Sequence, residues 1–179
     1  MWPARYLELA QFAARWSKDP STKVGSVIFR DDGSIISLGY NGFARGVFDA
    51  PEKLADRELR LKLTIHAEEN AILAAGRNGT PLHGAKIVVT HHPCARCASK
   101  IVQSGIREVW WRRDNTHFTE RWKHELELAR AVLEGAGVKM FELEEAHERH
   151  CVGRDEAGGG SPSDEREPRP DHDQDFSPR

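Results

Sequence analysis

Two short stretches constrain this chain most: His66-Ala67-Glu68 and, further along, Pro93-Cys94-Ala95-Arg96-Cys97. One imidazole and two thiolates form a Zn²⁺ ligand set, so any fold open to this chain must carry residue 66 to residues 94 and 97. Three such ligands leave the fourth tetrahedral position for water, whereas a closed structural site takes a fourth protein ligand. Glu68 is poorly suited to complete a sulfur-rich set and well suited to move protons beside it. If residues 64–75 form a helix, His66 and Glu68 stand about 200° apart around it, and both reach one site only from the first turn. Cys94 and Cys97, at i and i+3, share a face at the start of a second helix opened by Pro93. The expectation is two helix N-termini converging on a metal, their positive ends favouring thiolates and a carboxylate. His66, Cys94 and Cys97 are the candidate metal ligands and Glu68 the candidate catalytic proton carrier. The non-enzymatic alternative is a zinc-supported binding module in which Glu68 is only a solvated helix residue.

Hydrophobic patterning supplies a scaffold for that convergence. Tyr6, Leu9, Ala10, Ala13 and Trp16 recur at helical spacing, so residues 4–17 read as an amphipathic helix with its aromatic positions in the core. Residues 24–29 and 35–40 are apolar, β-rich runs joined by Asp31-Asp32-Gly33-Ser34, a hairpin with its turn chemistry in place. A polar loop from residue 41 to about 54 and a short charged helical stretch lead into the His66 helix, which Gly76 and Asn78-Gly79-Thr80-Pro81 end. Residues 85–90 read as the third strand, and the Cys94 helix runs to about Ser104. Residues 108–112 read as the fourth strand, 118–133 as a helix with Trp122, Leu126, Ala129 and Leu133 on its apolar face, and 138–143 as the fifth strand. Trp110-Trp111 straddles the fourth strand, so one ring packs inside and the other faces a helix or a subunit partner.

Strands three to five alternate with helices and so should be parallel neighbours, while the first two form an antiparallel pair. The expected architecture is a three-layer α/β/α domain with a mixed five-stranded sheet over residues 1–150. Residues 151–179, rich in Gly, Pro, Ser and charge, read as a disordered tail. His147, His150 and Cys151, at its edge, do not read as a second metal site.

The totals exclude several function classes. A formal net charge of −2 argues against a broad nucleic-acid-binding surface. Three cysteines, two of them assigned to metal, offer no disulfide framework and fit a reducing compartment. No apolar run approaches transmembrane length and Met1-Trp2-Pro3-Ala4-Arg5 does not read as a secretory leader, so the expectation is a cytoplasmic protein without a membrane partner.

Further blocks surround the metal motifs: Ser17-Lys18-Asp19-Pro20-Ser21-Thr22-Lys23-Val24-Gly25, Gly39-Tyr40-Asn41-Gly42-Phe43, and Gln103-Ser104-Gly105-Ile106-Arg107-Glu108-Val109. With His66-Ala67-Glu68-Glu69-Asn70-Ala71-Ile72 and the Pro93 motif, they resemble, in the same order, the deoxycytidylate (dCMP) deaminase family of the zinc-dependent cytidine deaminase superfamily, over residues 2 to about 143. The metal motifs alone specify the superfamily; the first two blocks narrow it. The resemblance implies hydrolytic deamination of dCMP to dUMP and ammonia, with Glu68 carrying protons to the ring and to the departing amine. It implies that Asn41 bonds the sugar, that the Ala67 backbone amide meets the pyrimidine edge, and that Lys18, Ser21 and Lys23 frame a 5′-phosphate. Thr116 stands where the family carries a tyrosine, with Arg112, Arg113 and His117 as other phosphate contacts, and His92 is open to a supporting role. The resemblance also implies a homo-oligomer, commonly a hexamer, with dCTP and dTTP as effectors, Mg²⁺ assisting them, and Tyr40 to Gly46 with Asp49 as the effector loop. Deaminases of other nucleosides or bases, or of nucleic acids, are the alternatives.

Overall fold

Alternation along two central strands explains how one sheet holds two cores. A computed structural model describes residues 2–114 and 116–144, all within one compact unit, Met1–His147. Strand β1 (Gly25–Phe29) is buried along its whole length, between β2 (Ile35–Tyr40) and β3 (Lys86–Val89), both antiparallel to it. Helix α1 (Trp2–Ala14) covers one face, packing Tyr6, Leu7 and Ala10 on Val27, Phe29 and Val88. The intervening side chains, Ile28, Ile87 and Val89, point to the other face, as the strand period of two requires. There they meet Ala71 and Ala75 of α4 (Ala67–Arg77), Ala98 and Ile101 of α5 (Ala95–Gln103), and Ala129 and Leu133 of α7 (Lys123–Gly135). Between β2 and α4 run the short helices α2 (Pro51–Ala55) and α3 (Arg57–Leu63).

The sheet order is β2-β1-β3-β4-β5, with β4 (Glu108–Arg112) and β5 (Lys139–Leu143) parallel to β3 and to each other. This is the expected three-layer, mixed five-stranded architecture. The hairpin turn closes through the Arg30 N–H on the Ser34 carbonyl at 2.9 Å, with Gly33 at φ 82°, and the Tyr6 hydroxyl donates to the Gly33 carbonyl. Trp111 is buried in the α4–α5–α7 core, and half-buried Trp110 stacks on Phe141 at 3.9 Å between centroids.

Two elements differ from the sequence reading. The helix expected over residues 118–133 is two helices, α6 (Thr116–Arg121) and α7, parted at Trp122, whose φ of −108° and ψ of 13° leave the helical region. Trp122 is partly exposed and tilted against Phe118, so it does not share the buried face of Leu126, Ala129 and Leu133. Trp16 is not core either. Helix α1 ends at Ala14 in a tightened turn, with the Trp16 N–H on the Ala13 carbonyl, and the indole lies half-exposed, edge-on to Phe12 and Tyr40. Among the described residues no helix is long and apolar enough to cross a membrane. The tail beyond residue 150, with His147, His150 and Cys151, lies outside the described residues.

Candidate active site

The first turn of α4 is pinned to the sheet by close backbone approach. The Ser26 and Ser37 hydroxyls donate to the carbonyls of Ala67 (2.8 Å) and Ala71 (2.9 Å), and the Asn70 amide donates to the Tyr40 carbonyl. Gly39 makes this approach possible: a Cβ there would lie 2.0 Å from the Ala67 carbonyl oxygen. Just upstream, Gly42 and Ile65 exchange two backbone hydrogen bonds, which ties the segment before α4 to the loop after β2. His66 therefore lands at the N-cap of α4 and Glu68 in its first turn. At the other helix, β3 ends into Thr90, whose hydroxyl accepts the Gly25 N–H, and Cys94 stands at the N-cap position of α5. The two N-termini converge as the ligand spacing requires.

His66 Nδ1 lies 3.6 Å from Cys94 Sγ and 3.4 Å from Cys97 Sγ, and the three ligand atoms are mutually within 4.8 Å. With Zn–N near 2.0 Å and Zn–S near 2.3 Å, a tetrahedral N···S edge measures about 3.5 Å, so both N···S spacings fit zinc. The electrostatics agree. The contacts with Cys97 and then His66 hold the Cys94 thiol down at about 3, and its neighbour's sulfur holds the Cys97 thiol up. The contact with Cys94 likewise raises the His66 imidazole. Glu68 is buried, and burial pushes its carboxyl above the usual carboxylate range, with its own backbone N–H and the His66 imidazole pulling only part of the way back.

The group opens onto a cleft of about 500 Å³, walled by parts of the loop after α1, α3, α4, residues 91–94, α6 and α7. Asn41, Ala67, Ser21 and His92 line it together with His66, Glu68 and Cys94. Asn41 is buried; its Oδ1 accepts the Val24 N–H at 2.8 Å and its Nδ2 donates to the Thr22 carbonyl at 2.8 Å, which leaves one donor and one acceptor site on the amide. His92 is buried with Nδ1 on the Pro93 carbonyl, and burial lowers its imidazole pKa. Lys18 stands outside the lining, paired with Asp49 at 2.8 Å, and Lys23 and Thr116 are exposed outside it too. Arg113 turns away to Glu142 and Glu144, whereas His117 does reach the cleft.

Sequence reasoning missed Arg57, Arg60 and Arg121, and it missed His91, whose Nδ1 meets the carboxylate of Asp114 at 2.5 Å while its ring stacks on Phe118. Asp114 also accepts the His92 N–H at 3.0 Å, so one carboxylate braces the segment leading into Cys94. The signal for the α3 pair was the Arg57-x-x-Arg60 spacing, which places both residues on one side of a helix.

The family model for the cytidine and deoxycytidylate deaminase zinc-binding region matches residues 1–112. An uncharacterised deaminase from the luxG 3′ region of Aliivibrio fischeri is 41% identical over 139 residues, 78% of this chain and 91% of that protein. Human deoxycytidylate deaminase is 34% identical over 142 residues, 76% of each chain. In fold, the dCMP deaminase of cyanophage S-TIM5, solved in complex with dCMP and dUMP, aligns with a TM-score of 0.62 at 23% identity, over 78% of this chain and 94% of that one. Two curated relatives at this identity and coverage, and a family match over most of the chain, leave one conclusion: it belongs to the zinc-binding cytidine and deoxycytidylate deaminase family.

Proposed function

We propose that this cleft hydrolyses the exocyclic amine of a cytosine nucleotide, converting dCMP and water to dUMP and ammonia. The observation that supports the reading is a buried carboxyl, Glu68, beside a His66–Cys94–Cys97 group at tetrahedral N···S spacing, with Glu68, His66 and Cys94 lining one cleft. Zinc, when bound by these three ligands, supplies Lewis acidity and a water acidified to near neutral pH. Glu68 accepts one proton of the attacking water and gives it to ring N3. It then takes the remaining proton from the new C4 hydroxyl and delivers it to the amine as the C4–N bond breaks and C4=O forms. Burial suits Glu68 to this work, because a carboxyl with a raised pKa holds a proton long enough to hand it on. The Ala67 amide, in the first turn of α4 where backbone donors lack intrahelical partners, meets the pyrimidine edge. The remaining donor and acceptor of Asn41 meet the sugar.

A nucleotide rather than a free base is supported by the relatives that carry the name deoxycytidylate deaminase and by the cationic side chains on the cleft wall. Incubation with dCMP, deoxycytidine, cytosine and guanine, followed by ammonia release, tests the reading. Turnover of dCMP above the others is expected; turnover confined to a free base overturns it. We further propose a cytoplasmic homo-oligomer in which the loop from Tyr40 to Gly46, with Asp49, receives dCTP or dTTP with Mg²⁺. Exposed Trp16, Val47 and Phe48 around that loop support an interface there. A monomer by light scattering, with kinetics indifferent to dCTP and dTTP, would reject both.

A further inference from the structure

We infer that the substrate's 5′-phosphate is held by two arginines on separate segments of the cleft wall, Arg57 on α3 and Arg121 on α6, with Arg60 as the positioning residue behind them. The inference rests on the nucleotide reading above and names the residues that make it selective. The lysines expected from the sequence are not in the lining: Lys18 is two-thirds exposed and tied to Asp49, and Lys23 is exposed.

Arg60, by contrast, is 7% exposed and lines the cleft. Its Nη1 donates to the Leu54 carbonyl, its Nη2 donates to Ser21 Oγ at 2.8 Å, and its Nε lies 3.4 Å from the Asp19 carboxylate without a hydrogen bond. One buried guanidinium thus clamps the end of α2 and the loop after α1 onto α3. Its charge is matched by Asp19, so it orients rather than attracts. Ser21 Oγ accepts from Arg60, which leaves its own O–H as a donor, and Ser21 lines the cleft.

Arg57 lies three residues before Arg60, on the same side of α3, and is exposed at the cleft wall. It makes no ion pair among the described residues. Arg121 closes α6 with its guanidinium 5.6 Å from the Trp122 ring centroid, and it too has no ion pair among the described residues. The acids of the same lining are Asp19, neutralised by Arg60, then Glu68, and Glu125 on α7; none is paired with Arg57 or Arg121. Two guanidiniums without ion pairs among the described residues, in one cleft lining with the Ser21 hydroxyl, match a phosphate monoester, whose dianion accepts forked donors from more than one side. The break at Trp122 serves this arrangement, because it detaches α6 from α7 and leaves Phe118, Arg121 and Trp122 on the cleft wall.

The test compares nucleotide with nucleoside. Arg57→Ala and Arg121→Ala are assayed for kcat/KM on dCMP and on deoxycytidine, and calorimetry reads the Kd of dUMP against deoxyuridine without turnover. Each variant is expected to lower the nucleotide-over-nucleoside ratio by about ten- to a hundredfold in both measurements, the worth of one or two charge-assisted hydrogen bonds. Arg60→Lys keeps the charge and loses the fork; it is expected to raise KM for dCMP more than it lowers kcat, whereas a merely structural role would lower kcat with KM unmoved. If Lys18→Ala or Lys23→Ala shifts the ratio while the Arg57 and Arg121 variants leave it alone, the inference is overturned and the nucleotide reading stands. A wild-type protein indifferent to the phosphate would bring down the nucleotide reading and this inference with it.

Discussion

Glu68 is a carboxyl that folding drives out of water and sets two residues after His66, a candidate metal ligand. Burial penalises the charged form and raises its pKa, which suits it to take up and hand on a proton beside the His66–Cys94–Cys97 group. Replacement by Gln keeps shape and hydrogen bonding but removes the basic oxygen. The Glu68→Gln protein is expected to carry zinc in the same ratio as the wild type, by metal analysis, while kcat falls by roughly 10²- to 10⁴-fold. Near-normal turnover would disprove the proton-carrier role. Cys97 makes the complementary case. It is buried, and its sulfur is 3.4 Å from His66 Nδ1, so Cys97→Ser substitutes a poor ligand where solvent cannot fill in. Its expected outcome is zinc-deficient protein, read by metal analysis of the purified variant.

Helix α4 shows how an element is placed by what is absent from its neighbour. Gly39 has the Ala67 carbonyl oxygen and the Ala71 nitrogen 2.0 and 2.6 Å from where a Cβ would stand, and both are backbone atoms that cannot swing aside. Gly39→Ala is expected to destabilise the fold by about 1–3 kcal/mol or more, the usual cost of forcing atoms into a packed core. Since the displaced turn carries Ala67 and Glu68 and follows His66, zinc content should fall with stability. Gly76, near the far end of the same helix, has nothing within 4 Å of a built Cβ. Gly76→Ala should therefore stabilise by about 0.5–1 kcal/mol through helix propensity alone. Denaturant midpoints of the two variants, moving in opposite directions, would separate crowding from propensity.

On the scale of the whole molecule, the metal group joins two helices that the sheet holds from different strands, so a bound ion links α4 to α5. Because ligand bound only by the folded state adds to stability, chelation is expected to lower the Tm, and zinc, added back, to restore it. An unchanged Tm after complete removal, shown by metal analysis, would mean that the helices hold the site without the ion. Residues 153–179 carry more acid than base and few large apolar groups. Charges in water are screened within about 8 Å at physiological salt, and truncation after residue 152 is expected to leave zinc content, Tm and turnover unchanged. A several-fold loss of turnover would show that the segment docks.

The ligand trio, Glu68 and the run of strands and helices were legible in the sequence because each rests on local spacing. A strand alternates every residue, a helix returns every three or four, and Cys-x-x-Cys presents two sulfurs on one face wherever the helix is carried. Asn41 and Ser21 were legible as neighbours of the cleft, although not that Asn41 spends half its amide on the Thr22–Val24 backbone. Tertiary structure decided the rest. The order β2-β1-β3-β4-β5 sets β1 inside the sheet, where α1 covers one face and α4, α5 and α7 the other, so its five residues are all buried. The turn at Trp122 sends a residue with helical spacing to the cleft wall instead of the core. Lys18 and Lys23 read as anion contacts in the sequence; in the structure Lys18 is paired with Asp49 and neither lines the cleft, while α3 and α6 bring Arg57 and Arg121 to the lining. A side chain's type and local phase follow from the residues beside it; whether a long cationic arm ends in solvent or in a cleft depends on segments distant in the chain, which only the packed molecule brings together.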